Sequence, residues 1–321
     1  MKILITGGGG FLGFKLAKAL LARGALGGKP ITSLTLLDGA FPPAAAQESR
    51  LKTVTGDVSD PKVIAAVCSP DTGAVFHLAA VVSGAAEADF DLGMRVNLKG
   101  MELLLEQMRK CVAPPRLVYT SSVAAFGGTL PPVLDDSTIA NPQTSYGMQK
   151  VVGEYLVTDY SRKGYLDGRS LRLPTIVVRA GKPNAAASSF ASGIIREPLN
   201  GVISECPVPP ETGVWLLSPR RVVEAFIHAW ELPPEAWGTQ RWLNLPGITA
   251  SVAQMVEALR RVAGDAAAKR VVYKADARIQ AIVKTWPVNF RTPRALAMGF
   301  KPDANVEAVI RDYIADEKIK I

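Results

Sequence analysis

Met1-Lys2-Ile3-Leu4-Ile5-Thr6-Gly7-Gly8-Gly9-Gly10-Phe11-Leu12-Gly13 is the stretch whose reading decides the fold. Ile3, Leu4 and Ile5 form a short apolar run suited to a buried parallel strand, and Thr6 ends it. Gly7, Gly10 and Gly13 then recur at every third position. Residues Phe11 to Arg23 are predicted as a helix with Phe11, Leu12, Leu16, Ala19 and Leu20 turned inward. Strand, glycine turn and helix in this order make a cradle for a pyrophosphate. Gly7 permits the tight turn, Gly10 lets the phosphates approach the backbone, and Gly13 lets the helix close on the strand. The N–H groups and dipole of the helix start hold the anion. A second apolar run, Leu34 to Leu37, ends in Asp38, the place for a carboxylate that grips the ribose hydroxyls. No arginine follows it immediately, and its charge would repel a 2′-phosphate, so the expected cofactor is NAD rather than NADP.

The alternation continues outward from there. Leu51 to Thr55 reads as a strand leading to Gly56-Asp57-Val58. Asp60 before Pro61 is the better helix cap, which leaves Asp57 to accept a hydrogen bond from the adenine amino group. Ala74 to Leu78 is the next strand. The small Ala79 and Ala80 after it let the backbone run beside the cofactor, and His77 is assigned a structural place at the strand end. Asp89 to Cys111 is predicted as one long helix with an apolar stripe through Met94, Leu98, Met101, Leu104, Leu105 and Met108; these methionines read as core. Asn97 interrupts that stripe, either satisfied by backbone or drawn into the site. Pro114-Pro115 stops the helix, and Arg116 to Thr120 delivers Ser121 and Ser122 at the carboxyl end of a strand, where open parallel sheets bind ligands. A helix from Ser145 to Arg162 and a strand from Arg169 to Leu173 follow, then a helix over Pro219 to Leu232, a strand over Arg241 to Leu245, and a helix capped by Ser251 and running to Val262. The class is α/β: a Rossmann-type doubly wound parallel sheet over residues 1–177, with 219–248 returning to it, and a smaller C-terminal substrate-binding lobe over 178–321.

Composition narrows the function classes. The 321 residues carry 37 Lys and Arg against 29 Asp and Glu, a net charge of +8, but the basic residues are scattered without a dense run or recognition motif. Nucleic acid is therefore not expected as a partner, and the charge suits an anionic cofactor and an anionic substrate. Cys68, Cys111 and Cys206 are few, odd in number and widely spaced, which fits reduced thiols in a cytoplasmic setting. No cysteine and histidine cluster has zinc spacing, so no metal is expected. The first apolar run breaks at Gly7, too early for a signal peptide, and no membrane span is expected.

The chemistry lies in Ser145-Tyr146-Gly147-Met148-Gln149-Lys150. Tyr146 and Lys150 are four residues apart, so a helix puts them on one face, about 6 Å apart along its axis. An ammonium beside a phenol favours the phenolate, which then takes a proton from an alcohol. Ser122 would hold the reacting hydroxyl or carbonyl.

Thr6-Gly7-Gly8-Gly9-Gly10-Phe11-Leu12-Gly13, His77-Leu78-Ala79-Ala80, Asn97, Tyr119-Thr120-Ser121-Ser122 and Tyr146-Gly147-Met148-Gln149-Lys150 together resemble the extended short-chain dehydrogenase/reductases, the NAD-dependent epimerase/dehydratase family. The resemblance covers the whole chain. It implies catalytic roles for Ser122, Tyr146 and Lys150, with Asn97 supporting a proton relay. It implies an NAD site lined by Gly7, Gly10, Phe11, Leu12, Gly13, Asp38, Asp57, Val58, Leu78, Ala79, Ala80, Ser121, Tyr146, Lys150, Pro174 and Thr175. It also implies a homodimer through the helices Asp89–Cys111 and Thr144–Arg162. Dehydratases of the family carry two carboxylates after the catalytic hydroxyl; here Val123 and Ala124 stand there. The stretches Ala79 to Gly93 and Gly181 to Leu199 look like those of dehydrogenases acting on small sugar acids, oxidised at the hydroxyl next to the carboxylate. Hydroxyl and amide partners for such a substrate are Ser83, Ser122, Tyr146, Asn184, Ser188 and Ser189; cations for its carboxylate are Arg179, Lys182 and Arg196. Trp215 and Arg220 are further candidates for the cleft. A nucleoside-diphosphate-sugar epimerase with retained NAD, or another aldonate or uronate dehydrogenase, is the competing reading.

Overall fold

The apolar runs become strands of one sheet in the computed structural model, which describes residues 1–46, 48–181 and 186–320, the side chain of Ala46 excepted. Strands of this sheet and the helices around it are numbered in chain order: β1 (Lys2–Thr6), α1 (Phe11–Arg23), β2 (Ser33–Asp38), β3 (Leu51–Thr55), α2 (Pro61–Val67), β4 (Thr72–His77), α3 (Gly100–Met108), β5 (Arg116–Ser122), α4 (Ser145–Arg162), β6 (Asp167–Leu173), α5 (Pro219–Glu231) and β7 (Trp242–Asn244). The seven strands lie in the order β7-β6-β5-β4-β1-β2-β3. The pairings from β3 through β5 are parallel, with Ile3 opposite Leu34 on one side and Ala74 on the other. The order reverses between β1 and β4, which opens a crevice above their carboxyl ends. This is the doubly wound arrangement expected from the sequence.

The chain divides into two units. The first comprises Met1–Ala125, Thr144–Arg172 and Val223–Leu243. Its core joins Leu4, Val75 and Leu117 on the strands to Leu104, Leu105 and Met108 on α3. The return of residues 223–243 has a polar cause. Arg169 on β6 is fully buried, and its guanidinium donates to the carbonyls of Trp230 (2.9 Å) and Leu232 (2.9 Å) while pairing with Asp167 at 2.7 Å.

Two expectations change in this unit. The buried line of α1 runs through Gly13, Leu16, Ala17 and Leu20, while Phe11, Leu12 and Ala19 are half-buried. Gly13 seats the helix against the glycine turn, which rotates the inward face toward that line. The single helix predicted over Asp89–Cys111 is instead Phe90–Gly93, a π-helical segment Met94–Lys99, and α3, which ends at Met108. Asn97 sits in the π-helical segment, where widening the helix turns its polar side chain into the interior.

The second unit comprises Phe126–Gln143, Leu173–Val222 and Asn244–Ile321. Its three-stranded sheet places Gly213–Leu217 between Thr175–Ile176, parallel, and Ile248–Ser251, antiparallel. Phe190, Ile194 and Ile195 of the helix Ser189–Leu199 pack with Met255, Leu259 and Ile310 in its core. Ser251 caps the helix Val252–Ala268 in a reciprocal capping box with Gln254, and Gly264 (φ +82°) interrupts that helix. Residues 126–143, assigned from sequence to the first domain, belong to this unit: Phe126 meets the edge of the Phe290 ring at 5.8 Å, and Leu134 exchanges backbone hydrogen bonds with Asn289 and Arg291 (2.9 and 2.7 Å).

Candidate active site

The glycine turn is shaped by what lies against it. Gly7 has φ +71°, and a Cβ there would stand 2.6 Å from the Ala79 nitrogen. A Cβ on Gly13 would collide with the Gly7 carbonyl. Both positions therefore keep the backbones of β1, α1 and the segment after β4 in mutual contact. Gly10 caps α1 without a side-chain hydrogen bond, leaving the helix start to a ligand. Asp38 at the end of β2 turns back onto this loop, its Oδ2 accepting from the N–H groups of Gly9 (3.0 Å) and Gly10 (3.2 Å). A cavity of about 560 Å³ opens here, lined by Gly7, Gly10, Asp38, Asp57, Val58, Leu78, Ala79 and Ala80, with Leu92, Arg95 and Val96. The glycine turn, with no side chain of its own over it and the Asp38 carboxylate against it, fits an adenine dinucleotide. Phe11 and Leu12 open α1 beside this turn, half-buried.

Asp57 has further partners. Its Oδ1 accepts from the backbone (2.8 Å) and hydroxyl (2.7 Å) of Ser59, and Oδ2 takes a hydrogen bond from Arg95. These donors hold its carboxyl below the usual carboxylate range against the opposing effect of desolvation. Asp60 caps α2 through the Lys62 N–H at 2.8 Å. His77 is buried and shares a 2.6 Å hydrogen bond with Thr6; burial pushes its imidazole down to about 3, so it is neutral and structural.

The predicted catalytic pair comes together on α4. Thr144 caps that helix through the Gly147 N–H at 3.1 Å, which fixes where Tyr146 and Lys150 leave it. The Lys150 ammonium is buried, donates to the Thr120 carbonyl at 2.7 Å, and stands 4.9 Å from the centre of the Tyr119 ring and 5.5 Å from that of Tyr146. Burial pushes the lysine down to about 7, and the charge of Glu154 works against that fall. Ser122 closes β5, half-buried, with its hydroxyl accepting from the Ala124 N–H at 3.1 Å.

Other assigned residues take different places. Ser121 is buried and its hydroxyl donates to Glu154 at 2.5 Å, so its side chain braces β5 from within. Asn97 is satisfied by backbone and a neighbour: it accepts from the Val81 N–H (2.8 Å) and donates to the Val81 carbonyl (3.1 Å) and Gln149 (2.7 Å). It thus ties the segment after β4 to α4. Ser83 begins the helix Ser83–Ala88, which follows that segment.

In the second unit, Pro174 is buried, and Thr175, half-buried, begins the short strand Thr175–Ile176 that follows it. Arg179 is half-buried, donating to the Ile176 carbonyl (3.2 Å) and the Ser188 hydroxyl (3.1 Å). Ser189 opens its helix half-buried. Lys182 and Asn184 lie outside the described residues. Three candidates are corrected. Arg196 is buried, paired with Glu197 at 2.6 Å and bonded to the Arg179 carbonyl at 2.7 Å, so it supports backbone. Arg220 is bound by Asp312 and, at 2.6 Å, by Asp316. Trp215 is buried and stacked on Phe290 at 5.1 Å, a core contact.

Sequence reasoning missed Glu154, Arg172 and Gln149. Glu154 had a signal: four residues past Lys150, it lies on the same helical face. Arg172 and Gln149 had none, because their partners come from other elements.

Residues 3–215 match the NAD dependent epimerase/dehydratase family. The chain belongs to that family. D-erythronate dehydrogenase of Cupriavidus necator is 58% identical over 320 residues, 98% of each chain. D-erythronate dehydrogenase of Haemophilus influenzae is 44% identical, covering 98% of this chain and 99% of its own. A crystal structure described as a nucleoside-diphosphate-sugar epimerase from Agrobacterium tumefaciens superposes with a TM-score of 0.94 at 41% identity, over 99% of this chain and 94% of that one. The family's cofactor, NAD, fits the glycine turn and Asp38 described above. Among the described residues, no helix is long and apolar enough to cross a membrane.

Proposed function

We propose that this chain oxidises D-erythronate with NAD at the hydroxyl beside the carboxylate, giving 2-oxo-tetronate. The observation that carries this reading is the 58% identity to a D-erythronate dehydrogenase over 98% of both chains. The site supports it. Tyr146 receives the proton of the substrate hydroxyl, with Lys150 holding the phenolate form by its charge. Ser122 donates a hydrogen bond to the same oxygen and orients it. NAD, when bound, accepts the hydride. We assign Arg179 to the substrate carboxylate, with Ser83 and Ser189 among the hydroxyl partners. Val123 and Ala124, in a short turn after Ser122, supply no acid or base for elimination. We further read the protein as a homodimer acting on a small molecule in the cytoplasm, without nucleic acid.

The test is NADH absorbance on a panel of D-erythronate, other aldonates and uronates, the matching uncharged polyol, and UDP-sugars. D-erythronate should react fastest. The polyol should react at least about tenfold more slowly, because losing one partner of a charged hydrogen bond costs about 1.5–3 kcal/mol. Equal rates on acid and polyol, or a UDP-sugar epimerised while no sugar acid reduces NAD, would overturn the reading.

A further inference from the structure

Behind the Tyr146–Lys150 pair lies a buried charge network that the reaction as described does not use. Glu154 follows Lys150 by one turn of α4, and both are 2% exposed. Its carboxylate accepts from the Ser121 hydroxyl at 2.5 Å and from Arg172 at 2.8 and 2.6 Å, a bidentate fork. The Arg172 guanidinium in turn lies 3.9 Å from the centre of the Trp242 ring, a contact reaching from β6 to β7. Lys150 and Glu154 both fasten α4 to the end of β5, one through the Thr120 carbonyl and the other through Ser121. The three charges alternate: cation, anion, cation.

A buried ion pair is a poor device for stability alone, since desolvation offsets most of its attraction. Its position relative to Lys150 suggests another use. Lys150 is faced by Tyr146 and Glu154 from its own helix and by Tyr119 and the Thr120 carbonyl from β5. His77, on β4, stacks on Tyr119 at 5.8 Å. His77 stays neutral above about 3, and burial pushes the Tyr119 phenol well above its usual value. Among these neighbours, Glu154 supplies the negative charge. We propose that Glu154, held by Ser121 and Arg172, is a positioning residue whose charge sets the pH range over which the Tyr146–Lys150 pair works. This rests on the catalytic reading of that pair.

The test is the pH profile of kcat/KM for NAD-dependent oxidation of D-erythronate, with folding followed by thermal unfolding. Removing a buried negative charge makes every neighbouring proton easier to lose. Glu154→Gln should therefore move both limbs of the profile down by about one pH unit or more. Arg172→Met removes a positive charge and should move both limbs up, while Arg172→Lys should leave them in place. The double variant E154Q/R172M removes the Glu154–Arg172 pair together, stranding neither of its two charges, and keeps the test open if a single variant fails to fold. Its limbs should still move down, because Glu154 adjoins Lys150 and Arg172 lies beyond it. A uniform loss of rate with unmoved limbs would overturn the proposal and leave the network purely structural. Tyr146→Phe separates the two levels: it should cost about 10²-fold or more. If it keeps full activity, the reading of the pair itself fails; if it is inactive while the E154Q limbs stay put, only the role of Glu154 fails.

Discussion

Asp38 shows how much one side chain can decide. Its carboxylate spans the Gly9 and Gly10 N–H groups and lines the cavity beside the glycine turn. A 2′-phosphate placed there meets a negative charge already committed to two donors. NADH should therefore bind at least about tenfold more tightly than NADPH, a difference of about 1.4 kcal/mol. Asp38→Ala should narrow that gap while weakening NADH, which a fluorescence titration measures without any substrate. Equal affinity for the two dinucleotides in the unaltered protein would refute this. Asp38, Tyr146 and Lys150 were legible because each sits at a fixed distance along the chain from a recognisable element. Arg172 was not, because its meaning depends on Glu154, 18 residues away across a helix and a strand.

At the scale of elements, α4 is fitted to β5 by an absence. A Cβ on Gly153 would strike the Tyr119 hydroxyl, so this mid-helix glycine is where the phenol packs. Alanine would ordinarily favour the helix by about 1 kcal/mol. Here overpacking should cost about 1–3 kcal/mol and outweigh that gain. Gly153→Ala should lower the melting temperature by a few degrees, about 2–4 °C per kcal/mol for a chain of this order of size. It should also slow turnover, because Tyr119 packs against the Lys150 ammonium. A higher melting temperature would show that the glycine is only a weak point in the helix. The same scale holds the main misreading. The stripe from Met94 to Met108 has helical spacing, but nothing in it shows that Asn97 must reach both Val81 and Gln149. That tertiary demand explains the π-helical segment.

At the scale of the molecule, the helical region after Asp89 and α4 carry apolar side chains without cover in the monomer. Phe90 is 54% exposed and Tyr155 69%. Burial of such rings is worth about 1.5–3 kcal/mol each, which favours pairing of two copies through these elements. Light scattering should therefore report twice the 34.2 kDa chain mass, and Tyr155→Glu should yield monomers; a wild-type monomer at micromolar concentration would remove the proposal. What the sequence by itself determined were the features written in local order: the glycine turn, the alternation of strand and helix, and the Tyr146–Lys150 spacing. Each follows from backbone sterics and helix or strand period, which act over a few residues. Tertiary structure alone decided which segments share a unit and how buried charges are matched. Residues 126–143 joined the second unit through Phe290, whereas a return of the chain near residues 223–243 was already expected from sequence and only its anchor, Arg169, was not. Arg196 and Arg220 were taken up by carboxylates, and Ser121 turned inward to Glu154. A buried polar group must find a partner wherever the fold brings one, and that partner has no fixed distance along the chain.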